Sequence, residues 1–149
     1  SNVYQIKPNW SLIPGDTGKI AVGYGILMLD TPYSQERRNE EGYFDCSSFT
    51  YYVYGRLGIY LQFDGANTAA AQGRYIVENN LVVDITKLAP GDLIFYSYES
   101  NDRFLNIGHV AIYAGEGFVI DASYSQGKVV YRKIYDTDKI VLCGRPYTE

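Results

Sequence analysis

A thiol and an imidazole are the two groups on this chain best suited to attack a carbonyl and protonate what leaves it. Cys46 lies in Tyr43-Phe44-Asp45-Cys46-Ser47-Ser48-Phe49-Thr50, and His109 is the single histidine among 149 residues. A thiolate is a strong nucleophile, and a neighbouring imidazole can take the thiol proton and later give it to an amine. The flanks of Cys46 read as a helix start: Asp45 precedes it, and Phe49, Val53 and Leu57 recur at i, i+4 and i+8 behind it. Unpaired N–H groups and the positive end of the helix dipole favour a thiolate there. The backbone N–H of Cys46 would help to hold an oxyanion. A lone cysteine in such a place also serves as a small buried apolar residue, and a lone histidine on a strand as a structural polar group. A carboxylate for the histidine tips the balance.

That carboxylate is Asp121. On either side of Gly115-Glu116-Gly117, residues Val110, Ile112, Ala114 and Phe118, Ile120, Ala122 are the apolar alternates of two strands. His109 and Asp121 fall together on the opposite face. A short hairpin centred on Gly115 sets them directly across from each other, with Cβ atoms roughly 4.5–5.5 Å apart. A carboxylate so placed holds one ring nitrogen, fixes the tautomer and leaves the other nitrogen as a base. Ser47 or Ser48 as nucleophile would use the same pair, but the Gly-x-Ser-x-Gly elbow is missing. One histidine and two distant cysteines give no zinc spacing. There is no phosphate loop or dinucleotide fingerprint either, so neither metal nor cofactor is expected.

The elements that must position these groups are legible. Asp16-Thr17 caps a helix over 18–29, which Thr31-Pro32 ends. A second helix runs over 46–57, with Gly58 as its stop. Asn67 caps a third through Ala69, Ala70, Ala71 and Gln72 to about Glu78. Residues 1–15, with Pro8 and Pro14, form an irregular arm, and the charged stretch 34–43 is an exposed loop. Pro90-Gly91-Asp92 turns the chain into a strand at 93–96, and further strands are expected at 108–114, 118–123, 128–133 and 140–144. Helices first and antiparallel strands second make an α+β domain over 16–149, with helices packed on a sheet of about five strands.

Composition narrows the function. Charged residues make up 20% and the formal net charge is -4, which argues against nucleic-acid binding. No run approaches the ~18 apolar residues of a membrane span. Two cysteines do not build a disulfide framework. Sixteen tyrosines against one tryptophan suit a half-wet groove as well as a tyrosine-rich core. The chain opens on Ser1-Asn2 rather than Met, which reads as a domain cut from a longer, multidomain protein.

Three motifs together carry a family resemblance: Asp45-Cys46-Ser47-Ser48-Phe49, Leu88-Ala89-Pro90-Gly91-Asp92-Leu93-Ile94-Phe95 and Gly108-His109-Val110-Ala111-Ile112-Tyr113. Over about residues 20–146 the chain resembles the NlpC-type cell-wall cysteine peptidases, bacterial enzymes with a compact papain-like fold. The resemblance implies Cys46 as nucleophile and His109 as base. Asp121 stands at the third polar position, where the family frequently has His. Tyr33, in Pro32-Tyr33, matches the tyrosine whose hydroxyl helps to form the oxyanion site. The aromatic-Gly-Gly that usually follows it is replaced by Ser34-Gln35-Glu36, with Tyr43 as a spare. Ser48 stands where the family usually has Gly. Asp45 and Ser47 match residues that bind the free amine of a peptide stem. The implied reaction is hydrolysis of a peptidoglycan stem, typically between γ-D-glutamate and the diamino acid. The setting would be secreted, at the cell wall or in a phage virion. Two other readings stay open: an amidase cutting between sugar and stem peptide, and a catalytically dead wall-binding module gripping polymer through its tyrosines.

Overall fold

Three helices precede five strands in the computed structural model, which describes residues 17–148. The expected arm at 1–15 and the cap at Asp16 lie outside these residues. The helices are α1 (Thr17–Leu27), α2 (Cys46–Gly55) and α3 (Ala69–Glu78). The strands are β1 (Leu93–Tyr96), β2 (His109–Gly115), β3 (Phe118–Ser123), β4 (Lys128–Lys133) and β5 (Ile140–Gly144). They form one antiparallel sheet in the order β4-β3-β2-β1-β5, so the α+β architecture is as expected.

Local chemistry sets each helix end. Asp45 and Ser48 close a capping box around the start of α2: the Ser48 N–H donates to Asp45 Oδ1 at 2.8 Å, and the Asp45 N–H to Ser48 Oγ at 2.9 Å. The serine that departs from the family's glycine therefore has a structural task. α2 stops at Gly55, short of Leu57, because the Gly58 and Ile59 N–H groups turn back to Gly55 and Tyr54 carbonyls. α3 is capped by Thr68, whose hydroxyl accepts from the Ala71 N–H, and not by Asn67. Asn67 instead offers its carbonyl to Gln72. α1 ends at Leu27 rather than 29, since Asp30 turns left-handed (φ 71°) and donates its N–H to Val129 on β4.

Both faces of the sheet are covered. Val110, Ile112, Ile120 and Ala122 pack under Ala21, Phe49 and Val53 of the helices. The alternation places Ala111, Val119, Ile94 and Tyr96 on the other face, where Ile134 and Tyr135, in the connection from β4 to β5, pack over them. His109 and Asp121 belong to this second face. They therefore lie beneath a covering segment rather than against open solvent.

The Pro90-Gly91-Asp92 turn seats α1. Gly91 has φ +95°, and a Cβ there would lie 2.4 Å from the Gly18 Cα. The turn is pinned by the Asp92 carboxylate, which accepts from Arg145 Nε at 2.8 Å, Arg145 Nη2 at 2.9 Å and the Ala89 N–H at 2.8 Å. Tyr54 also donates its hydroxyl to the Gly91 carbonyl. Gly91→Ala is expected to destabilise the domain by about 2–4 kcal/mol, combining left-handed strain with backbone overlap. Urea unfolding measures this, and an unchanged midpoint would mean that α1 is not held by this turn.

Candidate active site

Cys46 is the first residue of α2 and His109 the first of β2. The hairpin that aims the imidazole differs from the expected one. Ile112 pairs with Ile120 and Tyr113 with Val119, and after a bulge Gly115 pairs with Phe118. This register is two residues away from one in which His109 faces Asp121. The reason is the turn: Glu116 (φ 54°) and Gly117 (φ 84°) are both left-handed and make a tight two-residue loop, leaving Gly115 in the strand. A shift of two keeps every side chain on its face. His109 and Asp121 are therefore diagonal neighbours, and the ring still reaches: Nε2 lies 3.0 Å from Asp121 Oδ2.

Asp121 is fully buried and its lone pairs are filled. Arg132 donates from Nε to Oδ1 at 3.1 Å and from Nη2 to Oδ2 at 2.8 Å. The Tyr135 hydroxyl donates to Oδ2 at 2.9 Å, and its oxygen lies 2.9 Å from His109 Nε2. Burial alone raises the Asp121 pKa, but the hydrogen bonds from His109 and Arg132 outweigh it and hold the carboxyl below its ordinary range. Burial likewise lowers the His109 pKa. Hydrogen bonds to Asp121 and Cys46, and the charges on both, overcome that and push it up to about 9. With Nε2 committed to Asp121, Nδ1 is the nitrogen left for the thiol.

Arg132 and Tyr135 were not singled out from sequence. For Arg132 a signal existed: the expected strands 118–123 and 128–133 pair Val119 with Arg132, which puts the guanidinium on the face of Asp121. Tyr135 lies beyond β4 in irregular chain, where no periodicity points to it. Its ring is sandwiched, 5.1 Å from Tyr96 on one side and 4.0 Å from the Arg132 guanidinium. Burial first, and then the Asp121 charge, raise its pKa, so the hydroxyl remains a donor.

Tyr33 comes next to the thiol through backbone pairing. It bridges Phe44, with the Ser34 N–H donating to the Phe44 carbonyl at 2.9 Å and the Phe44 N–H to the Pro32 carbonyl at 3.1 Å. Burial, then the charges of Cys46 and Asp45, push its pKa up to about 12. Among the described residues its hydroxyl has no hydrogen-bond partner. Tyr43 is not a spare for it. Its hydroxyl receives Arg37 Nη1 at 2.5 Å, and it lines a separate cavity of about 730 Å³ that Cys46 does not reach.

Asp45 and Ser47 do reach the thiol's surroundings, but their polar atoms are occupied. Arg38 Nε donates to Asp45 Oδ2 at 2.7 Å, and Arg38 Nη2 to Ser47 Oγ at 3.0 Å. Two clefts meet at Cys46. One, of about 330 Å³, is lined by Arg38, Asp45, Ser47 and Arg103; the other, of about 370 Å³, by His109, Tyr98, Tyr124 and Tyr135. Tyr33, Cys46 and Gly108 border both. Cys143 lies in neither, and burial pushes its thiol up to about 12. No group of three or more His, Cys, Asp or Glu that could hold a metal ion occurs among the described residues. No helix among them is long and apolar enough to cross a membrane.

A helix-borne thiol facing a strand-borne imidazole, on three helices and a five-stranded antiparallel sheet, defines a papain-like α+β domain. The model of the NlpC/P60 family matches residues 30–139, and the chain belongs to that family. It is 36% identical over 94 residues to a probable endopeptidase p60 of Listeria grayi, covering 63% of this chain and 16% of the relative. It is 31% identical over 117 residues to a γ-D-glutamyl-L-lysine dipeptidyl-peptidase of Bacillus cereus, covering 78% and 32% respectively. The structure of NlpC1 from Trichomonas vaginalis superposes with a TM-score of 0.76 and 25% identity, over 93% of this chain and 47% of that one. The chain thus spans a third or less of the length of these two curated relatives.

Proposed function

We propose that this domain is a peptidoglycan hydrolase, a cysteine endopeptidase that cuts stem peptides between γ-D-glutamate and the diamino acid. The observation that carries the reading is one imidazole held on Asp121 by Nε2 and bordering the same cleft as the Cys46 thiol, where two clefts meet. The names of the Listeria and Bacillus relatives support the peptidase class, and that of the Bacillus relative a γ-D-glutamyl-L-lysine substrate. The short share of those relatives that the chain spans supports a place in a longer protein. Export to the wall and delivery on a phage virion both fit such a protein.

The sides of the groove follow from the proton. His109 must protonate the departing amine, so the diamino-acid half lies in the cleft with His109, Tyr98 and Tyr135. The acyl half, ending in γ-D-glutamate, lies in the cleft with Arg38. The Cys46 thiolate attacks the γ-carbonyl carbon, and the carbonyl π pair moves onto oxygen. The Cys46 N–H and the Tyr33 hydroxyl receive that oxyanion. Collapse expels the amine, which takes the proton of the His109 imidazolium, and leaves a thioester. Water then attacks the thioester, gives its proton to His109, and releases the carboxylate and the thiol. Asp121 holds the ring throughout, with Arg132 and Tyr135 holding Asp121.

Incubation with purified bacterial cell walls tests the reading. The expected result is clearing of the suspension with release of soluble stem fragments. Walls left intact would overturn it.

A further inference from the structure

The 330 Å³ cleft beside Cys46 contains one acidic side chain among the described lining residues, Asp45, and that carboxylate is already committed. Oδ1 accepts the Ser48 N–H at 2.8 Å and faces the Ser47 hydroxyl at 3.4 Å, and Oδ2 accepts Arg38 Nε at 2.7 Å. The pair is largely shielded, with the Arg38 side chain 19% exposed and that of Asp45 8%. Ser47 Oγ also accepts from Arg38 Nη2 at 3.0 Å. A second guanidinium, Arg103, lines the same cleft, and no carboxylate pairs with it among the described residues. Two guanidiniums against one carboxylate leave the cleft with an excess positive charge.

An ammonium entering this cleft meets that excess and no free anion. To bind Asp45 it would have to displace Arg38, leaving a shielded guanidinium unpaired, which is strongly unfavourable. A neutral amide or a carboxylate meets no such penalty. Under the function proposed above, this cleft takes the acyl half of the stem, whose amino end is either a free ammonium or an amide to the wall sugar.

We propose that Arg38 is a specificity-determining residue. By occupying Asp45 and Ser47 it makes the domain select stem peptides with an acylated amino terminus, as in polymeric wall, over released fragments with a free one. Asp45 and Ser47 then act as anchors for Arg38 rather than as receptors for an amine. This inference rests on the peptidase reading.

The test uses two synthetic stem peptides that differ only in N-acetylation of the first alanine. The wild type is expected to favour the acetylated peptide in kcat/KM by about tenfold or more, the scale of one charge interaction. Arg38→Gln and Arg38→Met, which free the Asp45 charge, are each expected to shift that ratio toward the free amine by about tenfold. The ratio is taken within each variant, so a lowered folded fraction cancels. A wild type that favours the free amine, or a ratio unmoved in both variants, would overturn the proposal. Calorimetric binding of both peptides to the Cys46→Ala variant separates the two readings. If the wild type cuts neither peptide, the peptidase reading fails. Tighter binding of the acetylated peptide then still supports selection by Arg38, and equal, reversed or absent binding overturns it.

Discussion

Cys46→Ala is expected to lower the release of soluble fragments from purified walls by about 10,000-fold or more, the scale on which loss of a nucleophile acts. Without the sulfur there is no thioester, and the N–H and hydroxyl donors have no oxyanion to hold. The fold should survive. Cys46 is 9% exposed and is held by backbone bonds of α2 and by the Asp45–Ser48 capping box, neither of which involves its side chain. Loss of its small contacts costs about 1 kcal/mol, which a thermal melt will read as a modest drop in Tm. Undiminished lysis by a folded variant would sink the thiol mechanism.

The second large effect is expected at Asp121. Asp121→Asn keeps the shape but not the donor pattern. Asp121 Oδ2 receives Arg132 Nη2, the Tyr135 hydroxyl and His109 Nε2, whereas Oδ1 receives Arg132 Nε alone. The amide oxygen therefore keeps the Oδ2 place, and the NH2 group is turned against Arg132 Nε, a donor facing a donor. The ring keeps its Nε2 partner but loses the charge that stabilises the imidazolium, which is expected to cost on the order of 100–10,000-fold in turnover, the span of acid–base catalysis. The pH profile should move as well. In the wild type the imidazolium persists to about 9, so activity falls as pH rises through that value. Removing the Asp121 charge and hydrogen bond takes away part of what raised it, and the alkaline limb should shift toward lower pH. Linkage to stability runs in opposite directions for the two groups. The raised His109 pKa contributes stability that is complete below its ordinary 6.5 and is lost as pH rises through about 9. The lowered Asp121 pKa contributes stability that is present above its ordinary 3.8 and is lost under acid. A turnover profile with the wild-type alkaline limb would contradict the role given to Asp121.

Much of this site was legible because short-range signals set it. The strands at 118–123, 128–133 and 140–144 agree residue for residue with their expected bounds, since the breaks at Gly115-Glu116-Gly117, Ser125-Gln126-Gly127 and Asp136-Thr137-Asp138 separate them. The α2 start was readable from Asp45. The hairpin register was not, because it depends on whether Glu116-Gly117 or Gly115 carries the turn, a difference that the apolar alternation cannot register. Arg38 was hidden for another reason. The stretch 34–43 is charged and reads as solvated loop, yet the Tyr33–Phe44 bridge folds it back so that one of its arginines meets Asp45. Tyr135 escaped notice because a single aromatic in irregular chain has no pattern.

The most direct test of the account is the identity of the bond cut. Walls digested by the wild type and by Cys46→Ala would be analysed by mass spectrometry for the new termini. The account predicts a new free amine on the diamino acid, paired with a new γ-carboxyl on D-glutamate, and neither product from the variant. A new amine on L-alanine, or the same products from Cys46→Ala, would contradict it.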